Sequence, residues 1–172
     1  MKIIEALKEL PLIEKKIIKN NELLQKYSSY ASHMGSEFKT EKEQTAKVNS
    51  IIQSNEDLVN RYLQLKRILS LTNATIEVEI NNIKLTLIEW LTYKNTCYKL
   101  LIDTFNNLNI GNAESQLMKN KPNIKEGDNL GVVRCYVEKD RLLAKEKIQD
   151  TMDKIDATLE IVNATTDLIE DI

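Results

Sequence analysis

The sequence predicts a mainly all-α protein, in which long antiparallel helices form a bundle or coiled-coil-like assembly with a β-hairpin at one end. Three observations predict this class. Apolar residues recur at alternating steps of three and four in four segments, which places them on one face of an α-helix. One short stretch, residues 75–86, alternates between apolar and polar residues instead. The chain of 172 residues holds only four Gly and two Pro, too few for a turn-rich all-β fold.

The first two helical segments are separated by a polar stretch. The first stripe comprises Ala6, Leu10, Ile13, Ile17, Asn20, Leu24 and Tyr27, and the second comprises Leu58, Tyr62, Leu65, Leu69 and Thr72. Pro11 inside the first stripe predicts a kink or a short lead-in helix. The sequence at 54–57, Ser-Asn-Glu-Asp, is typical of a capped start for the second helix. Residues 28–53 are polar and mixed, and predict a long polar loop with partial helix.

Two further stripes follow the alternating stretch. The third comprises Leu87, Leu91, Lys94, Tyr98, Leu101, Phe105 and Leu108, and the fourth comprises Ile148, Met152, Ile155, Leu159, Val162, Thr166 and Ile169. Thr86 and Glu89 predict a capping box at the start of the third helix, and Gly111 is expected just past its end. The fourth helix is expected to begin near Val137.

Residues 75–86, TIEVEINNIKLT, predict a two-stranded β-hairpin. Asn81 and Asn82 lie at its middle, and Asn tolerates the positive φ angles of tight hairpin turns. Residues 111–136 predict a loop with a β-prone segment, because NLGVVRCYV at 129–137 could add a third short strand beside the hairpin. The whole chain, 1–172, is interpreted as a single helical domain.

Charge and composition argue against several classes of protein. The formal net charge is −2, so no domain-wide basic surface favours nucleic acid or an anionic membrane. No apolar run reaches the length of about 18 residues that a membrane span needs. The opening MKIIEALKELPLIEKK mixes charges among its apolar residues, unlike a signal peptide. Two cysteines, Cys97 and Cys135, cannot build a disulfide framework, and a cytoplasmic location is expected.

The sequence offers no recognisable catalytic or metal-binding set. Its one histidine, His33, lies in the polar stretch, where we interpret it as a solvated residue. Zinc-site, calcium-loop and phosphate-loop patterns are all missing from the sequence. A nucleophile with a nearby base would have to use His33, and nothing adjacent supports this. We therefore expect a protein that is not an enzyme and that has no cofactor.

Polar side chains at positions that the helical pattern would make apolar are the remaining candidates for function. A buried polar group without a partner costs about 1–3 kcal/mol, so these groups must bond to each other, to water or to a ligand. The chain has only four arginines, and a guanidinium matches phosphate and carboxylate. The candidate ligand-binding residues are Arg67, Thr72, Asn73, Lys94, Arg134, Tyr136, Arg141 and Asn163. The alternative is that these residues fix helix register or form ordinary salt bridges.

An ordered set of short motifs runs along the chain. It comprises MKIIEALKEL at the start, YSSY at 27–30, IIQSNEDLVNRYLQLKRI at 51–68, LTNAT at 71–75, LTLIEWLTYKN at 85–95, and KIDATLEIVNATTDLIE at 154–170. This set resembles a family of short helical proteins of bacteria and phages that carries the label septicolysin. The resemblance implies a helical fold and transfers no catalytic residue. Ala164 departs from the aromatic residue that many relatives carry there, so a role that needs stacking at that place does not carry over. The label suggests a cytolysin, but no apolar span or strongly apolar amphipathic helix supports pore formation.

Two functions follow as hypotheses. The first is a non-enzymatic homo-oligomer that sequesters a small anionic ligand, plausibly a nucleotide signal, and that would act as an anti-defence sponge if it is phage-borne. The second is a structural or protein-interaction scaffold without a small-molecule ligand, favoured by the regular spacing of the stripes. In both, the partner is a further copy of the chain, with no membrane and no nucleic acid.

Overall fold

The prediction of a mainly α-helical protein with a β-hairpin is confirmed. A computed structural model describes residues 1–120 and 131–169. The helices are α1 (Ile3–Tyr27), α2 (Glu41–Thr75), α3 (Leu87–Thr92), α4 (Tyr98–Asn106), α5 (Gly111–Asn120) and α6 (Glu138–Thr165), and a π-helical turn at Tyr93–Cys97 joins α3 to α4. Strands β1 (Glu77–Ile80) and β2 (Ile83–Thr86) form the antiparallel hairpin.

The chain divides into two compact units, whereas the sequence predicted one helical domain over 1–172. Unit 1 comprises Met1–Ile76 and Glu160–Ile172, and unit 2 comprises Glu77–Leu159. Each unit has its own buried side chains. In unit 1 these include Ile3, Ala6, Leu10, Ile13, Leu65 and Leu69, and in unit 2 they include Ile80, Leu87, Trp90 and Ile155. Most of them were placed on the helical stripes from sequence.

Unit 1 is built on an antiparallel pair of helices, α1 and α2. Glu9 near the start of α1 binds Arg61 in the second half of α2, and Asn20 near the end of α1 donates to Asn55. A second set of bonds ties the C-terminal segment to this pair. The N–H of Ile3 donates to the carbonyl of Thr166 at 3.0 Å, so unit 1 joins residues distant in sequence.

The hairpin in unit 2 forms as predicted. Val78 pairs with Leu85, and Asn81 and Asn82 make the turn with φ angles of 53° and 62°. Trp90 is buried and its indole N–H donates to the carbonyl of Val78 at 2.9 Å, which holds α3 against the hairpin. The predicted capping box at the start of α3 is also present, with Thr86 as the capping residue.

Residues 28–53, predicted as a long polar loop with partial helix, are loop up to residue 40 and helix from Glu41, where α2 begins. The hydroxyl of Thr40 accepts the N–H of Glu43 and so caps the helix. Glu41 and Glu43 in the first turn stabilise it further, because their negative charges lie at the positive end of the helix dipole. Only Gln44 and Ile51 are buried between 41 and 53. Because so few positions here face the core, this part of the sequence carries no apolar stripe that would predict a helix. The capped start predicted at 54–57 is therefore wrong.

The loop predicted for 111–136 is also wrong in part, because residues 111–120 form α5. The side chain of Asn109 accepts the N–H of Gly111 at 2.9 Å, so this glycine opens a helix. The β-prone segment 129–137 contains no strand in its described part, 131–137. Residues 121–130 of this prediction lie outside the described residues.

The π-helical turn changes the predicted third stripe. A π turn adds one residue to the local helical repeat and shifts the helical phase beyond it, although Tyr98 and Phe105 of the predicted stripe stay half-buried. Leu101, which belongs to the predicted stripe, is exposed, and its neighbour Ile102 is half-buried instead. Leu108 lies beyond the end of α4. The start of the fourth helix agrees with prediction, since α6 begins at Glu138.

Candidate functional site

The eight predicted ligand-binding residues fall into two groups of four. Arg67, Thr72, Asn73 and Asn163 belong to unit 1, and Lys94, Arg134, Tyr136 and Arg141 belong to unit 2.

Thr72 is fully buried and its hydroxyl is bonded on both sides. It donates to the carbonyl of Ile68 at 2.8 Å and accepts the N–H of Ile169 at 3.0 Å. This hydroxyl therefore ties α2 to the C-terminal segment of unit 1. The contact corresponds to the structural alternative considered from sequence, in which a buried polar residue fixes the alignment of elements.

The other predicted residues of unit 1 lie nearer the surface. Asn73 and Asn163 are half-buried, and the side chain of Arg67 is exposed and makes a contact within the chain. Asn20, which also occupies a stripe position, donates to the side-chain oxygens of Asn55 at 2.8 Å and Ser54 at 3.3 Å. The asparagine on the α1 stripe thus bonds across the helix pair.

Lys94 lies in the π-helical turn and is paired with an acid. Its ammonium is 2.6 Å from a carboxylate oxygen of Asp156 on α6. The predicted positive group on the third stripe is thus matched by a protein carboxylate, which supports a role in joining these elements.

Arg141 is the most enclosed arginine of the predicted set. Its guanidinium bonds the carboxylate of Glu138, at 2.5 Å for the shorter contact, and donates to the carbonyl of Phe105 at 3.3 Å. These contacts connect the start of α6 to the end of α4. The hydrogen bonds from Arg141 lower the pKa of the Glu138 carboxyl below its ordinary value, against the opposing effect of desolvation.

Arg134 and Tyr136 lie in the segment that leads into α6. Arg134 is exposed, and Tyr136 is half-buried. After Arg141, the charge of Arg134 and a hydrogen bond from Tyr136 also lower the pKa of Glu138. The structure therefore brings three of the predicted residues together around the carboxylate of Glu138. An incoming anion would have to displace this carboxylate from Arg141.

One side of the α1–α2 pair carries exposed apolar residues that sequence reasoning did not single out. Ile52, Val59 and Leu63 are spaced by seven and four residues, so they fall within about 40° of one another on α2. Their exposed fractions are 44%, 45% and 60%. A groove of about 530 Å³ beside them is lined by Leu24, Ile52 and Val59 among others.

Helical geometry places two residues of α1 on the same side. Asn55 donates to Asn21 at 3.0 Å across one side of the helix pair, and each lies about 60° from the buried stripe of its helix. Leu7 and Ile18 lie about 40–60° beyond Asn21 around the axis of α1, further from the buried stripe. We call the set Leu7, Ile18, Ile52, Val59 and Leu63 the apolar face. The Glu9–Arg61 ion pair lies on the opposite side of the pair.

The signal for the apolar face was present in the sequence. A second run of apolar residues on α2, offset from the first stripe, can be found by the same periodicity. The prediction placed Ile52 in a loop and began the second helix at 54–57. Ile52 was therefore not assigned to the same helix as Val59 and Leu63.

A second missed feature is a polar concavity at the end of α1 and the start of α2. It has a volume of about 520 Å³ and is lined by residues from Tyr27 to Val48, none of which is among the eight predicted residues. The run YSSY at 27–30 belongs to the ordered set of motifs, but a run of tyrosine and serine specifies no single chemistry.

Other chemical candidates stay separate in the parts of the chain described above. Cys97 is half-buried and Cys135 is exposed, and both are free thiols. Among residues 1–120 and 131–169, no three His, Cys, Asp or Glu side chains gather in a way that could hold a metal ion. Over the same residues, no helix is long and apolar enough to cross a membrane.

No family model, curated protein or solved structure matches the chain. The resemblance to the septicolysin-like family therefore stays a prediction.

Proposed function

We propose that the protein is a non-enzymatic helical interaction module in which the apolar face of unit 1 docks onto the same face of a second copy. The single observation that carries this proposal is the apolar face itself. An antiparallel pair of helices that leaves apolar residues on one side lacks the packing that a second pair supplies in a four-helix bundle. Two such pairs related by a twofold axis would bury these residues against each other.

The polar residues on the helical stripes support the same function. Thr72, Lys94 and Arg141 each bond to protein groups of their own unit. Their partners are backbone groups and carboxylates that hold helices together. This pattern favours the scaffold hypothesis over a pocket between helices that would recognise an anion.

The test compares two leucine substitutions in unit 1. Leu63 lies on the apolar face and Leu12 lies on the opposite side of α1, and their exposed fractions are similar at 60% and 55%. We expect Leu63→Asp to convert the wild-type oligomer into monomers, because a buried charge without a partner opposes docking. Leu12→Asp is the matched control and should keep the wild-type mass in sedimentation equilibrium. A monomeric wild-type chain, or an equal effect of both variants, would refute the proposal.

A second candidate function is sequestration of a small anionic ligand, such as a nucleotide signal, around Arg134, Tyr136 and Arg141. The observation in its favour is that these three residues gather at the start of α6. A phosphate could replace Glu138 as the partner of Arg141, since a guanidinium binds both groups in the same planar geometry.

Native mass spectrometry with a nucleotide panel tests this second candidate. Binding that is lost in Arg134→Ala and kept in Arg61→Ala, an arginine of unit 1 that pairs with Glu9, would support it. A chain that binds no nucleotide, or whose binding is unchanged in Arg134→Ala, would exclude it.

A further inference from the structure

The connection between α1 and α2 is held in place by several side-chain contacts. The ring of Tyr27 packs edge-on against Phe38, with 5.1 Å between ring centroids, and Lys26 forms an ion pair with Glu37 at 2.9 Å. Helix–helix connections in bundles usually have about 2–8 residues, and longer ones are often functional. The connection here spans 28–40 and is braced at several points, which argues for a built surface.

Gln44 is the buried centre of this arrangement. Its amide nitrogen donates to the carbonyl of Tyr27 at 2.6 Å, and its amide oxygen accepts the hydroxyl of Ser36 at 2.5 Å. Its exposed fraction is 8%. Because both ends of the amide are bonded, the wall of the polar concavity beside Gln44 is ordered before any ligand arrives.

Most of the residues that line the polar concavity carry a hydroxyl group. Six of its nine lining residues carry one, namely Tyr27, Ser28, Ser29, Tyr30, Ser32 and Thr45. A hydroxyl both donates and accepts, so such a surface matches a ligand that is itself rich in hydroxyls. The volume of about 520 Å³ lies within the range of small-molecule sites.

The charge of the lining argues against an anionic ligand. Glu41 is the only charged residue among the nine, and none of the lining residues is Lys or Arg. The hydroxyl of Tyr30 donates to Glu41 at 3.2 Å, and this bond raises the pKa of Tyr30 above its ordinary value. A carboxylate accepts hydrogen bonds only, which suits the hydroxyl donors of a sugar and repels a phosphate.

From these observations we infer that the polar concavity binds a neutral, polyhydroxylated ligand of sugar size. Thr45 and Glu41 would bond the ligand from α2, while the serines and Tyr30 would bond it from the connecting segment. The site lies within unit 1 and is separate from the residues of the apolar face, so it adds a second activity to the proposed interaction module.

Ligand-observed saturation-transfer NMR on the full chain tests the inference. The probes are glucose, N-acetylglucosamine and sucrose, with AMP and ethanolamine as anionic and cationic comparisons. Thr45→Val removes one lining hydroxyl with little change of shape, and Glu41→Gln removes the charge with little change of size. We expect each variant to weaken sugar binding roughly two- to tenfold, the effect of one lost hydrogen bond.

Thr104→Val is the matched control, because Thr104 is an exposed helical threonine in unit 2. Circular dichroism of each variant verifies that the fold is retained. The inference is supported if a sugar binds and the control alone keeps wild-type affinity. It is overturned if no sugar binds, if only AMP or ethanolamine binds, or if Thr45→Val and Glu41→Gln bind the sugar as tightly as wild type.

Discussion

Buried polar groups in this chain are bonded to other protein groups, and Thr72 is the clearest example. In the described residues, no buried side-chain nitrogen or oxygen lacks a hydrogen-bond partner. From sequence, a threonine on an apolar stripe indicates either a ligand-binding group or a residue that fixes helix register. In the structure its hydroxyl joins α2 to Ile169, nearly one hundred residues away, a partner that local sequence patterns cannot indicate.

We predict that Thr72→Val destabilises unit 1 by about 1–3 kcal/mol, since it leaves the N–H of Ile169 without its acceptor. Thr75→Val is the matched control, because the Thr75 hydroxyl makes the same bond to the carbonyl four residues earlier but is exposed. The measurement is the free energy of unfolding in urea. Equal losses in the two variants would show that the bond to Ile169 contributes nothing.

Glu138 gives a prediction about pH. Because hydrogen bonds from Arg141 lower its pKa in the folded state, its contribution to stability is present above the unfolded-state pKa of about 4.3. That contribution is lost as the pH falls through the folded-state pKa. In Arg141→Met the Glu138 pKa should rise toward its ordinary value, while Arg61→Met should leave it unchanged. Carboxyl-detected NMR titration measures both, and a Glu138 pKa that stays low in Arg141→Met contradicts the assignment.

At the scale of elements, the sequence predicted those whose local signals agree with their packing. The hairpin and the capping box at Thr86 were found because turn residues, strand alternation and the capping acid all coincide there. The first half of α2 was missed because it buries few apolar residues and depends on capping at Thr40. The π-helical turn was missed because an added residue changes the helical phase without a distinctive sequence signal.

The hairpin turn supplies a prediction at this scale. Asn82 has a φ of 62°, a conformation that glycine adopts without strain and that costs most other residues about 1–2 kcal/mol. Asn82→Gly should therefore keep or raise the thermal midpoint, and Asn82→Val should lower it. Asn82 is the better position for this comparison, because the Asn81 side chain bonds Lys154. A valine variant as stable as wild type would mean that the turn tolerates another geometry.

At the scale of the whole molecule, the candidate sites could be predicted less well than the fold. Arg134, Tyr136 and Arg141 come together near the start of α6 because they are close in sequence. The surroundings of the other five predicted residues depend on which unit each element joins. Helical periodicity does not contain that information. The polar concavity and the apolar face could be predicted only if α2 were known to begin at Glu41. The polar composition of 41–53 does not indicate that start.

Self-association through the apolar face predicts a property of the entire chain. A folded state that binds a second copy gains stability with concentration, because the unfolded chain does not bind. For a dimer of this length, the thermal midpoint should rise by about 1–3 °C for each tenfold increase in protein concentration. Leu63→Asp should abolish this dependence and Leu12→Asp should preserve it, as measured by calorimetry over a hundredfold range. A wild-type midpoint that is independent of concentration would show that the folded chain does not self-associate, and would refute the proposed docking of two copies.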